Sequence, residues 1–161
     1  MNPPLRHAEC EAVIAAGPDA VFARLDDQRS LSAHMTRGSW MTLGSSFRFE
    51  LDPFQGRRVG SVIRMSGRVL GIPLGLDEIV TDYAPPLHKA WATIGEPRLL
   101  VIGAYRMGFD LAAEPGGVRL KVWIDYRLPE YPGLRWLGRL LGPAYAQWCV
   151  RRMVEDARKG L

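Results

Sequence analysis

The fold of this chain is decided by two neighbouring segments, YRMGFDL at residues 105–111 and RLKVWIDYR at residues 119–127. In both segments apolar or aromatic side chains alternate with charged or small ones, which is the period of a strand with one dry and one wet face. Between them, Gly116-Gly117 predicts the turn of an antiparallel hairpin. A long amphipathic segment after Pro132 is the longest cover available to the dry face. The second half of the chain therefore predicts a sheet packed against a C-terminal helix, with apolar space between them.

Length and composition narrow the class of protein. With 161 residues the chain has the size of a single domain, and we expect one domain over residues 1–161. The net charge of +4 is mild, and short basic runs at Arg57-Arg58 and Arg151-Arg152 lack interleaved aromatics, so we expect no nucleic-acid partner. The longest apolar run, residues 99–104, is far shorter than a membrane span, and the first residues lack a signal-peptide core. We therefore expect a cytoplasmic protein without stable membrane insertion.

Motifs that bind metals or cofactors are missing from the sequence. Cys10 and Cys149 belong to no CxxC or Cys/His cluster. His7, His34 and His88 stand apart from acidic or cysteine partners. No phosphate-binding glycine loop, HExxH or GxSxG motif is present. We therefore expect no metal and no cofactor, and the sequence alone assigns no catalytic residue.

Before the hairpin, the sequence predicts one strand, two short helices and a run of further strands. Alternation over His7–Ala15 predicts the first strand, and Pro18 suits the first position of a helix that ends at Asp26-Asp27. A second short helix is predicted at about Arg29–Met35. The further strands are predicted at Phe47–Asp52, at Ser61–Leu70, before Tyr83-Ala84-Pro85-Pro86 and at Lys89–Ile94, with Gly95-Glu96-Pro97 as the turn after the last.

The C-terminal helix is predicted to change its buried side near its middle. After Pro143, helical spacing marks one buried stripe, formed by Ala146, Cys149, Val150, Met153, Val154 and Ala157. Before it, a stripe on nearly the opposite side is formed by Leu134, Leu137, Leu141, Ala144 and Trp148. Pro143 lacks an amide donor and crowds the carbonyl of Arg139, and Gly142 weakens the helix beside it. We therefore predict a break or kink at this point.

Three sequence pieces point to a known family. They are AAGPDAVF at residues 15–22, EIVTDYAPP at residues 78–86 and PGGVRL at residues 115–120. With the order of elements, they resemble the SRPBCC or START-like (Bet v 1-like) superfamily, in particular its polyketide cyclase/dehydrase and lipid-transport branch. The resemblance spans nearly the whole chain and implies an α+β helix-grip fold: a curved antiparallel β-sheet wrapped around a long C-terminal α-helix, with two short helices after the first strand. It also implies an internal cavity that family members use for apolar molecules.

We expect this cavity to bind a small hydrophobic ligand such as a lipid, a polyketide or another aromatic or isoprenoid-like molecule. His34 and Trp40 are expected near its entrance. A buried phenol needs a hydrogen-bond partner, so tyrosines in the wall either orient a ligand oxygen or bond to backbone or water within the core. The expected wall residues are Phe47, Phe49, Tyr83, Tyr105, Met107, Phe109, Val122, Ile124 and Tyr126.

Two other functions fit the same sequence. A polyketide cyclase, aromatase or dehydratase would act in the same cavity and would need a titratable group inside it. A protein-interaction module, like the chaperone activators of the superfamily, would use an outer apolar surface instead. We expect the protein to be a monomer or a homodimer.

The charged pairs in the sequence give little support for catalysis. Asp77-Glu78 is weak evidence because adjacent strand residues point to opposite faces, and Asp26-Asp27 is interpreted as a helix end. Arg64 and Arg68 share one side of their strand and are expected to point outward, because buried cations would need anionic partners. Trp123 is also expected on the outer face.

Overall fold

The computed structural model describes residues 4–27, 46–159 and 161. The predicted second short helix at Arg29–Met35 lies outside the described residues. Neither described helix combines the length and the apolar character needed to cross a membrane. The elements are β1 (Arg6–Ile14), α1 (Pro18–Asp26), β2 (Ser46–Leu51), β3 (Val62–Val69), β4 (Ile72–Ala84), β5 (His88–Arg98), β6 (Tyr105–Glu114), β7 (Gly117–Tyr126) and α2 (Pro132–Arg158).

The seven strands form one antiparallel sheet in the order β1-β7-β6-β5-β4-β3-β2. From β2 to β7, neighbours along the chain pair with each other, so short connections suffice. The predicted hairpin is confirmed, with Tyr105 of β6 opposite Tyr126 of β7. The first strand pairs with β7, which places Ile14 opposite Val118. The first and the last strand of the chain therefore lie next to each other at one edge of the sheet.

The alternation predicted for β6 and β7 is confirmed by burial. Phe109 and Val122 lie opposite each other on the inner face, and neither side chain is exposed to solvent. Met107 and Ile124 form the next buried inner pair. Trp123 lies on the outer face, partly exposed, as its parity predicts. The inner face of these two strands is therefore the main wall of the core.

The turn predicted at Gly95-Glu96-Pro97 is wrong, because β5 continues past it to Arg98. The pairing of β5 with β4 shifts register at this point, so the three residues form a bulge within the strand. Gly95 adopts a φ of +68°, which suits glycine, and Pro97 has no amide hydrogen to donate to a neighbouring strand. These turn-forming residues interrupt the pairing of β5 with β4 without ending β5.

The first helix is confirmed where the sequence predicts it. α1 begins with Pro18 in its first turn and ends at Asp26. Its apolar side chains Val21, Phe22 and Leu25 are buried. They pack α1 against β6 and against α2.

The buried stripe of the C-terminal helix is confirmed after Pro143. This half of α2 packs against β1 and β7. Its buried residues are Ala146, Val150, Met153, Val154 and Ala157, with Cys149 partly buried.

The N-terminal half of α2 differs from the prediction. The helix is continuous through Pro143, so a break at this point is wrong, and a kink stays a prediction. The carbonyl that loses its partner belongs to Arg139, an exposed residue, where water can satisfy it. The predicted opposite stripe is only partly buried, since Leu141 is 43% exposed and Ala144 is also exposed, whereas Leu134, Leu137 and Trp148 are partly buried. The buried residues of this half are instead Gly138 and Gly142.

Candidate ligand-binding site

Ionisable side chains enter the otherwise apolar inner face of the sheet on two neighbouring strands. Glu78 of β4 lies opposite Ile63 and Thr93 and is 5% exposed. Lys89 of β5 lies opposite Phe109 and is fully buried. Residues directly opposite each other in neighbouring strands share a face, so both ionisable groups point into the core. Groups of this kind are costly to bury unless the protein supplies partners.

The partner of Glu78 is Tyr105 of β6, whose hydroxyl donates to Glu78 Oε1. Burial raises the pKa of Glu78 to about 7, against the opposing effects of the Tyr105 hydrogen bond, the Lys89 charge and hydrogen bonding by Trp91. Burial, reinforced by the charge of Glu78, raises the pKa of Tyr105 well above its usual value. The pair therefore combines a carboxyl that titrates near neutral pH with a phenol that stays protonated.

The partner of Lys89 is Asp26, the last residue of α1. Lys89 Nζ donates to Asp26 Oδ1 at 2.6 Å, and the Tyr83 hydroxyl donates to Asp26 Oδ2 at 2.8 Å. Arg57 Nε lies 3.6 Å from the same Oδ2. Burial lowers the pKa of Lys89, and the hydrogen bond and charge of Asp26 oppose this effect. Burial, followed by the bond to Asp26, raises the pKa of Tyr83 to about 12.

Two side chains of α2 extend this network from the helix side. Tyr145 and Cys149 hydrogen-bond to each other, and both lie close enough to Tyr105 to raise its pKa. Burial raises the pKa of the Cys149 thiol to about 12. Even so, Tyr105, Tyr145 and Cys149 all keep some accessible surface. All three side chains are partly buried and pack against the hydrophobic core.

This arrangement can exchange a proton near neutral pH at Glu78 and can donate hydrogen bonds from Tyr105. Lys89 adds an ammonium group whose charge is held next to Asp26. In the part of the chain that the structure describes, no three potential metal ligands cluster. Glu78, Tyr105 and Lys89 can take part in hydrogen bonding and proton transfer.

The structure places most of the predicted wall residues on the inner face. Tyr83 and Tyr105 are partly exposed and belong to the polar network. Phe49 lies opposite Met65, an inner residue of β3, and is partly exposed. The fully or nearly fully buried members are Met107, Phe109, Val122, Ile124 and Tyr126.

Three predicted site residues fall wholly or partly outside the described residues. His34 and Trp40, expected at the entrance, both belong to the undescribed segment between α1 and β2. The backbone of Phe47 lies in β2, opposite Gly67, and its side chain is not described.

Sequence reasoning missed Glu78, Lys89 and Asp26 as interior groups. The side of β4 that faces inward is ambiguous in the sequence, because apolar residues occur on both sides, Leu76 and Val80 on one and Ile79 on the other. A signal for Lys89 does exist, since it shares the parity of Trp91, whereas the alternate positions His88, Ala90 and Ala92 are polar or small. Asp26 was placed correctly at a helix end, but its partner lies 63 residues away.

A separate groove of about 390 Å³ lies beside the bulge of β5. In it Arg64 Nε donates to Asp77 Oδ1 at 3.1 Å, so its main charges are already paired. Arg64 and Arg68 are both exposed, which confirms their expected outward direction. The other polar residues that line the groove are Ser66, Glu96 and Arg98.

Comparison with known proteins supports the architecture. No family model and no curated protein matches the chain. Among solved structures, a truncated norcoclaurine synthase from Thalictrum flavum matches with a TM-score of 0.68 at 15% identity, covering 99% of this chain and 94% of that chain. Ara h 8.0201 matches with a TM-score of 0.61 at 12% identity, covering 96% of this chain and 98% of that chain.

A third match is the di-domain ARO/CYC StfQ from the steffimycin biosynthetic pathway. Its TM-score is 0.66 at 12% identity, and the match covers 96% of this chain and 50% of that chain. At such identities the likeness shows the fold. The helix-grip fold is confirmed.

Proposed function

We propose that this chain binds a small, largely apolar molecule between the inner face of the sheet and α2. One observation carries the proposal: partly buried polar side chains of the sheet, Tyr105, and of the helix, Tyr145 and Cys149, pack against the same hydrophobic core. The neighbouring inner side chains, such as Met107 and Ile124, are apolar and buried. A mostly apolar wall with a few fixed polar groups is the usual composition of a small-molecule site.

Affinity and selectivity come from different parts of this site. Removing apolar ligand surface from water contributes about 25 cal/mol per Å². Selectivity comes from Glu78 and Tyr105, which can donate to or accept from a carbonyl, hydroxyl or phenol oxygen of the ligand. We therefore favour lipids, polyketides and other aromatic or isoprenoid-like molecules that carry at least one oxygen.

The similar structures support this proposal in a general way. Norcoclaurine synthase from Thalictrum flavum, in a structure with a TM-score of 0.59 and 16% identity to this chain, is in complex with dopamine and hydroxybenzaldehyde. Both are small aromatic molecules. The fold is thus compatible with the kind of occupant that we propose.

The direct test is native mass spectrometry of the purified protein, followed by thermal-shift measurements with a panel of fatty acids, isoprenoids and aromatic polyketides. We expect a ligand of the favoured classes to raise the melting temperature. The Glu78→Gln variant should bind an oxygen-bearing ligand differently from the wild type. The matched control is Asp77→Asn, because Asp77 is the adjacent carboxylate on the opposite face of β4. No co-purified molecule and no shift with any panel member would reject the proposal.

A second candidate function is favoured by Glu78 itself. A polyketide cyclase, aromatase or dehydratase needs a titratable group inside its cavity, and a carboxyl with a pKa of about 7 is suited to accept and return protons at neutral pH. Tyr105, whose pKa is raised well above the usual value, remains available as a hydrogen-bond donor. Together they supply the base and the oxyanion donor of an aldol reaction.

In this candidate mechanism the Glu78 carboxylate removes a proton from the carbon next to a ketone. The C–H electron pair moves into the carbonyl, and Tyr105 turns its hydroxyl from Glu78 to the enolate oxygen that forms. The enolate carbon attacks a second carbonyl of the same substrate, and the protonated Glu78 returns its proton to the new alkoxide. Proton and electron pairs balance without a cofactor.

Proton exchange isolates the first step of this mechanism. An aryl methyl ketone, whose methyl protons exchange slowly in buffer, is incubated with the protein in D₂O and followed by NMR across the neutral pH range. We expect protein-dependent exchange that rises through a pKa of about 7 and falls by about 100-fold or more in Glu78→Gln, with Asp77→Asn unchanged. Exchange that is absent, or equal in Glu78→Gln, would reject the enzyme candidate and leave the binding proposal standing.

A further inference from the structure

The N-terminal half of α2 carries large apolar side chains that nothing in the described structure covers. Trp136 is 63% exposed, Leu140 is 68% exposed and Leu141 is 43% exposed. Trp136 and Leu140 are four residues apart, so they lie next to each other on one side of the helix. We call Trp136, Leu140 and Leu141 the Trp136 face.

Small residues on the opposite side of the helix explain why this face is exposed. A Cβ atom at Gly138 would lie 2.6 Å from Pro129 Cδ, and one at Gly142 would lie 3.1 Å from the Val101 carbonyl oxygen. The helix therefore packs against the rest of the protein with its glycine side, where larger residues would not fit. The large apolar side chains are left on the outward side.

The charged residues of α2 that lie near the Trp136 face in the sequence have one sign. From Pro132 to Val154 the helix contains arginines and no Asp or Glu. Arg135 and Arg139 are both exposed in the same turns as Trp136 and Leu140. Exposed apolar side chains beside unpaired positive charge are the composition of a helix that lies at the surface of an anionic membrane.

We propose that the Trp136 face docks the protein onto an anionic membrane surface. The helix lies parallel to the bilayer, with Trp136 and Leu140 at the boundary of headgroups and acyl chains and Arg135 and Arg139 among the lipid headgroups. Tryptophan is enriched at this boundary because its ring is apolar and its N–H is polar. The contact is peripheral, since α2 does not have the character of a membrane-spanning helix.

The same charges disfavour a second copy of the chain as the occupant. A two-fold contact between two Trp136 faces would bring Arg135 and Arg139 of one copy close to those of the other. Like charges in one interface repel each other, and no acidic residue in this part of the helix compensates them. An anionic lipid surface offers both an apolar layer for the exposed apolar side chains and negative charge for the arginines.

Sedimentation with vesicles tests the proposal. The full chain is mixed with vesicles of phosphatidylcholine alone and with vesicles in which about a third of the lipid is phosphatidylglycerol, at low and at physiological salt. We expect binding to the anionic vesicles that weakens as salt rises. Removing Arg135 and Arg139 together (R135Q/R139Q) should weaken binding about 25-fold, since each arginine near such a surface contributes about fivefold.

A second variant tests the apolar part. Trp136→Ser with Leu140→Ser should abolish binding to the anionic vesicles while leaving the melting temperature close to wild type, because both side chains are exposed. The matched control combines Leu87→Ser with Arg98→Gln, an exposed leucine and an exposed arginine away from α2. This control should bind as the wild type does.

Tryptophan fluorescence gives an independent readout. Adding anionic vesicles should shift the emission of the wild type to shorter wavelength, and the shift should disappear in Trp136→Phe. The proposal is overturned if the wild type does not bind anionic vesicles at low salt, or if R135Q/R139Q binds as tightly as the wild type. It is also overturned if the Trp136 face mediates self-association, seen as a dimer that Trp136→Ser with Leu140→Ser dissociates.

Discussion

The ion pairs on the two faces of the sheet have similar chemistry in different surroundings. On the inner face, Lys89 Nζ lies 2.6 Å from Asp26 Oδ1, and the two side chains are 0% and 8% exposed. On the outer face, Arg64 Nε lies 3.1 Å from Asp77 Oδ1, and the side chains are 62% and 37% exposed. Water solvates the outer charges whether or not they pair, whereas the inner charges depend on protein groups alone. The contribution of an ion pair to stability therefore depends more on the face of the sheet on which it lies than on its residue types.

The largest expected effect is on the inner pair. Replacing Lys89 with methionine leaves the buried Asp26 with only the longer 3.6 Å contact of the exposed Arg57, and we expect the free energy of unfolding to fall by about 3–5 kcal/mol. Adding Asp26→Leu removes the stranded charge, so the double variant should be more stable than Lys89→Met alone. Urea unfolding of the wild type, both single variants and the double variant measures the coupling. Additive losses in the double variant would show that the two charges do not depend on each other.

The next effect is the pH dependence of stability caused by Glu78. Its pKa is raised in the folded protein from 4.5 to about 7, so the folded state holds a proton that the unfolded state has already lost. The stabilisation that Glu78 contributes is fully present below pH 4.5 and is lost as the pH rises through 7. The free energy of unfolding falls by about 3 kcal/mol over this interval. The Glu78→Gln variant cannot lose this proton, so its stability relative to wild type should rise over the same interval.

Chemical denaturation at a series of pH values measures this difference. Asp77→Asn is the control, because its carboxylate is on the outer face and partly exposed. A stability difference between Glu78→Gln and wild type that stays constant from acidic to slightly alkaline pH would contradict the inner position of the carboxyl.

A smaller effect is expected for the outer pair. Arg64→Gln should change the free energy of unfolding by less than about 1 kcal/mol, and raising the salt concentration should reduce the change further. The same urea experiment measures it beside Lys89→Met. A loss as large as that of the inner pair would refute the conclusion drawn from burial.

The smallest effect is expected at His7, on the outer face of β1. Hydrogen bonds to Asp125 and then to Glu9 raise the pKa of His7 above 6.5. The stabilising effect of His7 is therefore present below pH 6.5 and is lost as the pH rises through the raised pKa. Because its side chain is 49% exposed, we expect His7→Gln to lower the free energy of unfolding by less than about 0.5 kcal/mol. NMR titration of the imidazole gives the pKa. A value at or below 6.5 would contradict the contacts.

Much of the fold follows from local pattern in the sequence. Strict alternation in β6 and β7 predicted the inner positions of Phe109 and Val122, and the helical spacing after Pro143 predicted the stripe that packs on the sheet. Patterns of this kind are repeated over many residues, so one exception does not erase them. The prediction was weaker where one or two residues carried the signal, as at Pro143 and at Gly95-Glu96-Pro97.

Only part of the candidate site could be predicted from the sequence. Tyr105 could be placed inside because it belongs to a strand with clear alternation, and the need of a buried phenol for a partner was foreseen. The identity of that partner, Glu78, depends on which side of β4 faces inward, and apolar residues occur on both sides of that strand. The register of β4 against β3 and β5 resolves this question, and register is a property of the assembled sheet.

By itself, the sequence determined the order of the elements, the sidedness of the hairpin and the presence of a long terminal helix, because periods of about two and 3.6 residues are local properties of the chain. The tertiary structure alone decided that Asp26 meets Lys89 across 63 residues, and that the apolar side of the first half of α2 faces outward. Both outcomes depend on which surfaces are brought together. Residue types define what each group can do, and packing decides which groups are removed from water.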